Sequence, residues 1–117
     1  MVSMTSSQLF PEQPSAAAEL FGEFAPGWVH FTDDVLFGEV WKRPELSPRD
    51  GSLVTVTALA AAGNTDQLVF HLGFARDNGV TEAELVEALT YLAFYAGWPR
   101  AMAAMAVAKR VFGEDQS

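Results

Sequence analysis

Two segments of the chain carry no charged residue on any side, and this limits how the chain can fold. They span residues 52–62 and 101–108 and consist mainly of alanine, leucine, valine and methionine. Residues 54–57 are β-branched, as in a strand, but they run into an alanine-rich stretch and no second strand is available, so we interpret both segments as helices. A helix that is apolar all round must be covered all round. We therefore expect both helices at or near subunit contacts; the alternative is that other helices of the same chain cover them.

Signals for helix beginnings and ends divide the rest of the chain. Capping residues that begin helices are Ser15, Thr32, Ser47, Asn64 and Thr81, and Pro99 lies in the first turn of the last helix. Residues that end helices are Pro26 with Gly27, Arg43 with Pro44, and Gly63, Gly79, Gly97 and Gly113. These signals predict an all-α, six-helix single domain over residues 15–117. Residues 1–14 are rich in Ser, Gln and Pro, and we expect them to form a mobile arm.

Composition excludes several classes of function. The chain has 117 residues, a formal net charge of −8 and no cysteine, which rules out thiol nucleophiles, disulfides and cysteine-based metal sites. Two histidines cannot form a multi-histidine metal site within one protomer. The acidic balance argues against nucleic acid, and no apolar run approaches the length of a membrane span. We expect a cytoplasmic protein without metal or cofactor, and with neither nucleic acid nor membrane as partner.

His71 is the first candidate for a catalytic residue. Leu68 and Ala75 lie three residues before and four residues after it, and Leu72 follows it directly, so its ring projects from the apolar side of a helix. Burial would lower the pKa of the imidazole and leave a neutral base near pH 7. The alternative is a core or interface histidine bonded to a carbonyl.

Further candidates lie on two other predicted helices. Glu39 sits among apolar residues, where it could act as a general acid or pair with Arg43. Glu87, Tyr91 and Tyr95 are four residues apart and are followed by Trp98. The two phenols and the indole could line a pocket for a flat ligand or form a packing seam.

Residues 31–112 resemble the carboxymuconolactone decarboxylase family. The resemblance rests on VLFGEVW at 35–41, RPxLSxRDxSLVTV at 43–56, HL at 71–72, NGVTxxE at 78–84 and AFYAGWP at 93–99. It implies the six-helix fold shared with the alkylhydroperoxidases, a trimer or hexamer, and a pocket near a subunit interface. The alkylhydroperoxidase branch needs a CxxC pair, so the missing cysteines exclude it. By resemblance His71 is the pocket histidine, and Glu39, Trp41 and Arg49 match recurrent polar and aromatic positions.

Four residues depart from the pattern expected of that family. Gly51 and Phe74 stand where arginine is usual or frequent, Val69 where proline is frequent, and Tyr91 where histidine is frequent. Arginine binds carboxylates through two parallel hydrogen bonds. A pocket that lacks two arginines should favour neutral, flat, apolar ligands over anions.

We hypothesise a cofactor-independent acid/base enzyme on this scaffold, changed by divergence or by laboratory evolution towards proton transfer on a neutral aromatic substrate. His71 is the base, Tyr91 a hydrogen-bond donor and Glu39 an assisting group. Expected substrate contacts are Trp41, Arg49, Gly51, Val69, Phe74, Tyr95 and Trp98. One alternative is the family's lactone decarboxylation, with Arg49 on the substrate carboxylate and His71 protonating the carbanion. Another is a non-catalytic oligomer that binds an aromatic or lactone-like ligand.

Overall fold

A computed structural model describes residues 15–116 of the chain, and the side chains of residues 15–113. The helices are α1 (Ala16–Phe21), α2 (Pro26–His30), α3 (Pro48–Ala62), α4 (Thr65–Asp77), α5 (Glu82–Tyr95) and α6 (Trp98–Gln116). A π-helix (Phe31–Phe37) continues α2, and a 3-10 turn (Val40–Lys42) follows it. The six-helix, all-α prediction is confirmed, with no strand in residues 15–116. The predicted mobile arm, residues 1–14, lies outside the described residues.

The described residues form two compact units, one ending at Pro48 and the other beginning at Arg49. In the first unit, α1 begins as predicted, because Ser15 Oγ accepts a 3.0 Å hydrogen bond from the Ala18 N–H. The same hydroxyl donates to Asp33 Oδ2 at 2.6 Å. Ser15 is the one residue of 15–48 that is buried. Very little of this unit's apolar surface is therefore enclosed.

The predicted boundary between the first two helices was wrong. Pro26 does not end a helix but is the first residue of α2, where its missing N–H and fixed φ are favourable. Thr32 is not an N-cap, since it lies inside the continuous helix and its hydroxyl donates to the Trp28 carbonyl at 2.9 Å. Asp33 and Asp34 therefore lie in a π-helix and not at the start of an α-helix.

The second unit follows the predicted helix ends closely. At the start of α5, Thr81 Oγ1 accepts from the Glu84 N–H and Glu84 Oε1 accepts from the Thr81 N–H, both at 3.0 Å. This reciprocal pair confirms the capping box. Gly79 and Gly97 follow α4 and α5 with φ of +101° and +103°, a backbone region that favours glycine. The prediction for Gly113 was wrong, because α6 continues through it to Gln116 without a positive φ.

The core of the second unit lies where α6 packs against α4 and α5. Its largest fully buried side chains are leucines of α4 and α5 and a valine of α3. Alanines, valines and one phenylalanine of α6 complete it. The buried apolar residues are Val56, Ala60, Leu68, Leu72, Ala75, Val80, Leu85, Leu89, Leu92, Ala104, Val107, Ala108, Val111 and Phe112.

Among the residues whose side chains are described, 15–113, each of the two all-apolar helices has one side buried and another side open to solvent. On α3, Val56 and Ala60 are buried whereas Val54 is 58% exposed, and on α6 Ala104 is buried whereas Met102 is exposed. A shallow apolar groove runs along the outer side of α3; it is lined by Leu53, Val54, Thr57, Ala58 and Ala61. The alternative that the same chain covers both helices completely is therefore not met within the described residues. No helix of residues 15–116 has the length and apolar character needed to cross a membrane.

Candidate functional site

His71 lies on α4 at the edge of the core. Leu68, Leu72 and Ala75 are fully buried, as their helical spacing predicted. Because they fix which side of α4 faces the core, His71 lies partly in the apolar interior. The imidazole itself is half-buried. It therefore has contact with the core without being sealed inside it.

Two phenylalanines of the same helix enclose the imidazole. The ring of Phe70 lies 5.0 Å from that of His71, and the ring of Phe74 lies 6.1 Å from it, both in T-shaped orientation. The two phenylalanine rings stack on each other, with centroids 5.3 Å apart and planes at 21°. Such edge-to-face and offset-stacked pairs are favourable arrangements of aromatic rings. The immediate surroundings of the imidazole on α4 are therefore aromatic and uncharged.

Burial lowers the pKa of His71 below its ordinary value of about 6.5, because the charged imidazolium is less well solvated there. Its Nδ1 atom is buried and has no hydrogen-bond partner among the described residues. A buried ring nitrogen normally has such a partner. The neutral ring thus predominates at neutral pH and keeps an unused hydrogen-bonding position at Nδ1.

Arg49 is held by two carboxylates. Its Nη1 lies 3.2 Å from Asp50 Oδ1, and its Nη2 forms a very close ion pair with Glu84. The hydrogen bond that Arg49 donates to the Glu84 carboxylate raises the pKa of Arg49. The pKa of Glu84 is lowered, first by the Thr81 backbone N–H and then by Arg49. The positive charge of Arg49 is thus already balanced by protein carboxylates.

The other predicted substrate contacts of the second unit have less enclosed positions. Gly51 lies in the first turns of α3, where its carbonyl accepts a 2.8 Å hydrogen bond from Thr55 Oγ1. Val69 is exposed on α4. Neither residue contributes a charge.

Tyr91, Tyr95 and Trp98 are exposed side chains of α5 and the start of α6. Phe94, also exposed, packs its ring against Trp98 in a T-shaped pair at 6.2 Å. These four aromatic side chains follow one another at helical spacing, and the described residues leave them open to solvent. Tyr91, Tyr95 and Trp98 were interpreted either as the lining of a ligand pocket or as a packing seam. Both interpretations require that another molecule covers these side chains.

Glu39 and Trp41 belong to the first unit. Glu39 is exposed, and Trp41 stacks on Phe37 with the centroids 6.2 Å apart and the planes at 11°. Arg43 Nη2 lies 3.8 Å from Glu45 Oε1. The predicted catalytic and substrate roles of Glu39 and Trp41 stay predictions.

Two contacts at the site were not foreseen. The position of Phe70 beside His71 could have been recognised from its spacing of four residues to Phe74. The ion pair of Arg49 with Glu84 joins residues 35 positions apart and left no sequence signal. Among the described residues, no three His, Asp or Glu side chains lie together as a metal site would require.

The lowered pKa of His71 predicts how stability depends on pH. Below about pH 6.5 the unfolded chain binds a proton at His71 more readily than the folded chain, so the free energy of unfolding falls as the pH drops from that value through the folded-state pKa. His71→Gln removes this contribution. Urea unfolding at pH 7.5 and 5.0 should therefore show a smaller loss of stability in H71Q than in the unchanged protein. Equal losses in the two proteins would contradict the assignment.

The sequence profile of the Carboxymuconolactone decarboxylase family matches residues 26–110. The chain is 40% identical over 94 residues to a 4-carboxymuconolactone decarboxylase of Acinetobacter baylyi, covering 80% of this chain and 70% of that protein. It is 35% identical over 78 residues to a nitrosuccinic acid decarboxylase of Metarhizium robertsii, covering 67% of this chain and 54% of that protein. With 85 of its residues spanned by the family profile and decarboxylases among its relatives, the chain belongs to the carboxymuconolactone decarboxylase family.

Proposed function

We propose that the protein is a cofactor-independent enzyme that transfers a proton at a carbon atom of a neutral, flat aromatic substrate, with His71 as the base. The observation that carries the proposal is the half-buried imidazole, whose pKa is lowered by burial and which lies against two phenylalanine rings. A general base must be unprotonated at the working pH, and burial keeps the His71 imidazole in that form at neutral pH. The charge balance at Arg49 supports a neutral rather than an anionic substrate.

A cyclic ketone whose ring is fused to an aromatic ring illustrates the reaction. His71 takes the proton from the carbon next to the carbonyl, and the electron pair of the C–H bond moves to the carbonyl oxygen. The Tyr91 hydroxyl donates a hydrogen bond to the enolate oxygen, and Glu39 assists, as the sequence predicted. The imidazolium then returns a proton to the same carbon. In D₂O the returned particle is a deuteron, so the carbon becomes labelled without any net reaction.

The test uses 2-tetralone as probe and follows deuterium incorporation at C1 by proton NMR. Both His71→Ala and His71→Gln should lose the protein-dependent exchange by about a hundredfold or more, the usual contribution of a positioned base. His30→Ala is the matched control, since His30 is the other histidine of the chain, is exposed and pairs with Asp34. If H71A and H71Q exchange as fast as the unchanged protein, the proposal is wrong.

A second candidate function is a decarboxylase of carboxylated substrates, which the names of both relatives favour. In that reaction the bond between carbon and carboxylate breaks, carbon dioxide leaves, and protonated His71 gives its proton to the carbanion. Arg49 would hold the substrate carboxylate, for which it would have to leave Glu84 or Asp50. The lowered pKa of His71 is less suited to this role, because little imidazolium is present at neutral pH.

The double substitution Gly51→Arg with Phe74→Arg separates the two candidates. If the proposal holds, the unchanged protein acts poorly on 4-carboxymuconolactone, and the two added guanidinium groups raise kcat/KM for that anion by about tenfold or more, as charge-assisted hydrogen bonds allow. If the second candidate is right, the unchanged protein already releases carbon dioxide and the substitutions change little. Ala62→Arg with Gln67→Arg is the control, since it adds equal charge at exposed positions of α3 and α4.

We also propose that the protein is a homo-oligomer, either a trimer or a hexamer. The open apolar sides of α3 and α6 and the exposed aromatic residues of α5 support this, because exposed apolar surface of this extent commonly marks an interface. Light scattering should give a mass three or six times that of one chain. Val54→Lys, which places a charge in the α3 groove, should lower that mass, whereas Gln67→Lys should not. A monomeric unchanged protein would contradict the proposal.

A further inference from the structure

The first unit contains a π-helix. Seven residues, Phe31–Phe37, follow α2 without a break and form a wider helical turn, with hydrogen bonds from residue i to residue i+5. Helices of this kind are rare and occur frequently at functional sites. The two site residues predicted in this unit, Glu39 and Trp41, follow it immediately.

The helix narrows abruptly at Gly38. The Val35 carbonyl accepts from two successive N–H groups, those of Gly38 and Glu39, the latter at 3.0 Å. The next bonds, from Lys42 to the Glu39 carbonyl and from Arg43 to the Val40 carbonyl, are of the tight 3-10 kind and measure 3.2 Å. Within a few residues the backbone thus passes from its widest to its narrowest helical form.

No side chain fits at Gly38. A Cβ atom there would lie 2.3 Å from the Asp34 carbonyl oxygen, 2.9 Å from the Asp34 carbonyl carbon and 3.1 Å from the Asp33 carbonyl oxygen. All three are backbone atoms of the π-helix, so they can give way only if the helix moves. The φ of Gly38 is −78°, which any residue can adopt. Glycine is required here for space and not for backbone handedness.

The turn at Gly38 sets the directions of the side chains that follow it. Glu39 has φ −125° and ψ −54°, between the two helical forms, and the Trp41 ring lies parallel to that of Phe37. A change of one residue in helical register would rotate both side chains by about 100° around the helix axis.

We propose that Gly38 is a positioning residue that aims Glu39 and Trp41 through the change from π-helix to 3-10 turn, an inference whose kinetic part rests on the proposed function. Gly38 itself touches no substrate in this proposal. It acts by keeping the space beside the Asp34 carbonyl free, so that the wide turn can form and end where it does.

The test is Gly38→Ala, with Gly27→Ala as the matched control. Gly27 lies in α2 of the same unit, and a Cβ there would meet nothing within 4 Å. The first readout is the indole N–H resonance of Trp41, assigned with Trp41→Phe. It should shift in G38A and stay in place in G27A. An unchanged Trp41 resonance in a folded G38A protein would overturn the proposal.

The second readout is deuterium exchange into 2-tetralone. G38A should reduce kcat/KM by tenfold to a hundredfold, on the order expected when a catalytic group is displaced by about 1 Å, while its circular dichroism stays close to that of G27A. If His71→Gln abolishes exchange but G38A leaves it unaltered, the positioning proposal is wrong and the proposed function stands. If exchange is independent of His71, the proposed function fails, and the Trp41 resonance alone decides for or against Gly38.

Deletion of Leu36 provides a second variant in case G38A does not fold. It removes one residue from the wide turn and lets the segment form an ordinary α-helix, with Glu39 and Trp41 rotated. The helix content should persist while the Trp41 resonance shifts and the exchange rate falls. A resonance and a rate equal to those of the unchanged protein would overturn the proposal.

Discussion

The buried residues of α4 set the position of His71, the residue that we propose as the base. Leu68, Leu72 and Ala75 lose all contact with water where α6 packs against α4, and this fixes the rotation of α4 about its axis. His71 lies three residues after the first and four before the last, so it is carried to the edge of the core. Its desolvation and its lowered pKa follow from that rotation, whereas its contacts with two phenylalanine rings are made within α4 itself.

The charges around α5 follow a second constraint, the capping of its N-terminus. Glu84 accepts from the Thr81 N–H, which orients the carboxylate and lowers its pKa, and the same carboxylate pairs with Arg49 at the start of α3. A single side chain thus satisfies a helix end and neutralises a guanidinium. Arg49 is thus already paired with two protein carboxylates. An anion would have to compete with Glu84 and Asp50, whereas a neutral ring would not.

Sequence was most informative where structure is decided locally. The capping box at Thr81 and the glycines after α4 and α5 were predictable, because each depends on neighbours within four residues. The apolar spacing on α4 was likewise sufficient to predict the burial beside His71. The contact of Arg49 with Glu84 was not predictable, since nothing in either segment indicates how the helices approach each other.

The first unit was predicted less well, and the reason is physical. Thr32 followed by two aspartates has the composition of a helix start, yet these residues continue a helix that Pro26 began. The spacing of apolar residues distinguishes helix from strand, but it does not distinguish the i+4 bonds of an α-helix from the i+5 bonds of a π-helix. The lack of space for a side chain at Gly38 depends on the positions of the surrounding backbone atoms, which the sequence does not indicate.

The apolar surface that remains exposed connects the fold with the proposed site. Tyr91, Tyr95 and Trp98 are open to solvent, and so is one side of α3. Tyr91, Tyr95 and Trp98 lie outside the buried cluster that forms the core of the second unit. The unfavourable free energy of exposing these side chains to water is removed only when another surface covers them. This is expected both at a subunit interface and in a ligand pocket. Assembly would also exclude water from the surroundings of these aromatic side chains. Any electrostatic interaction with a substrate bound there would then be strengthened, because its strength rises as the local dielectric constant falls.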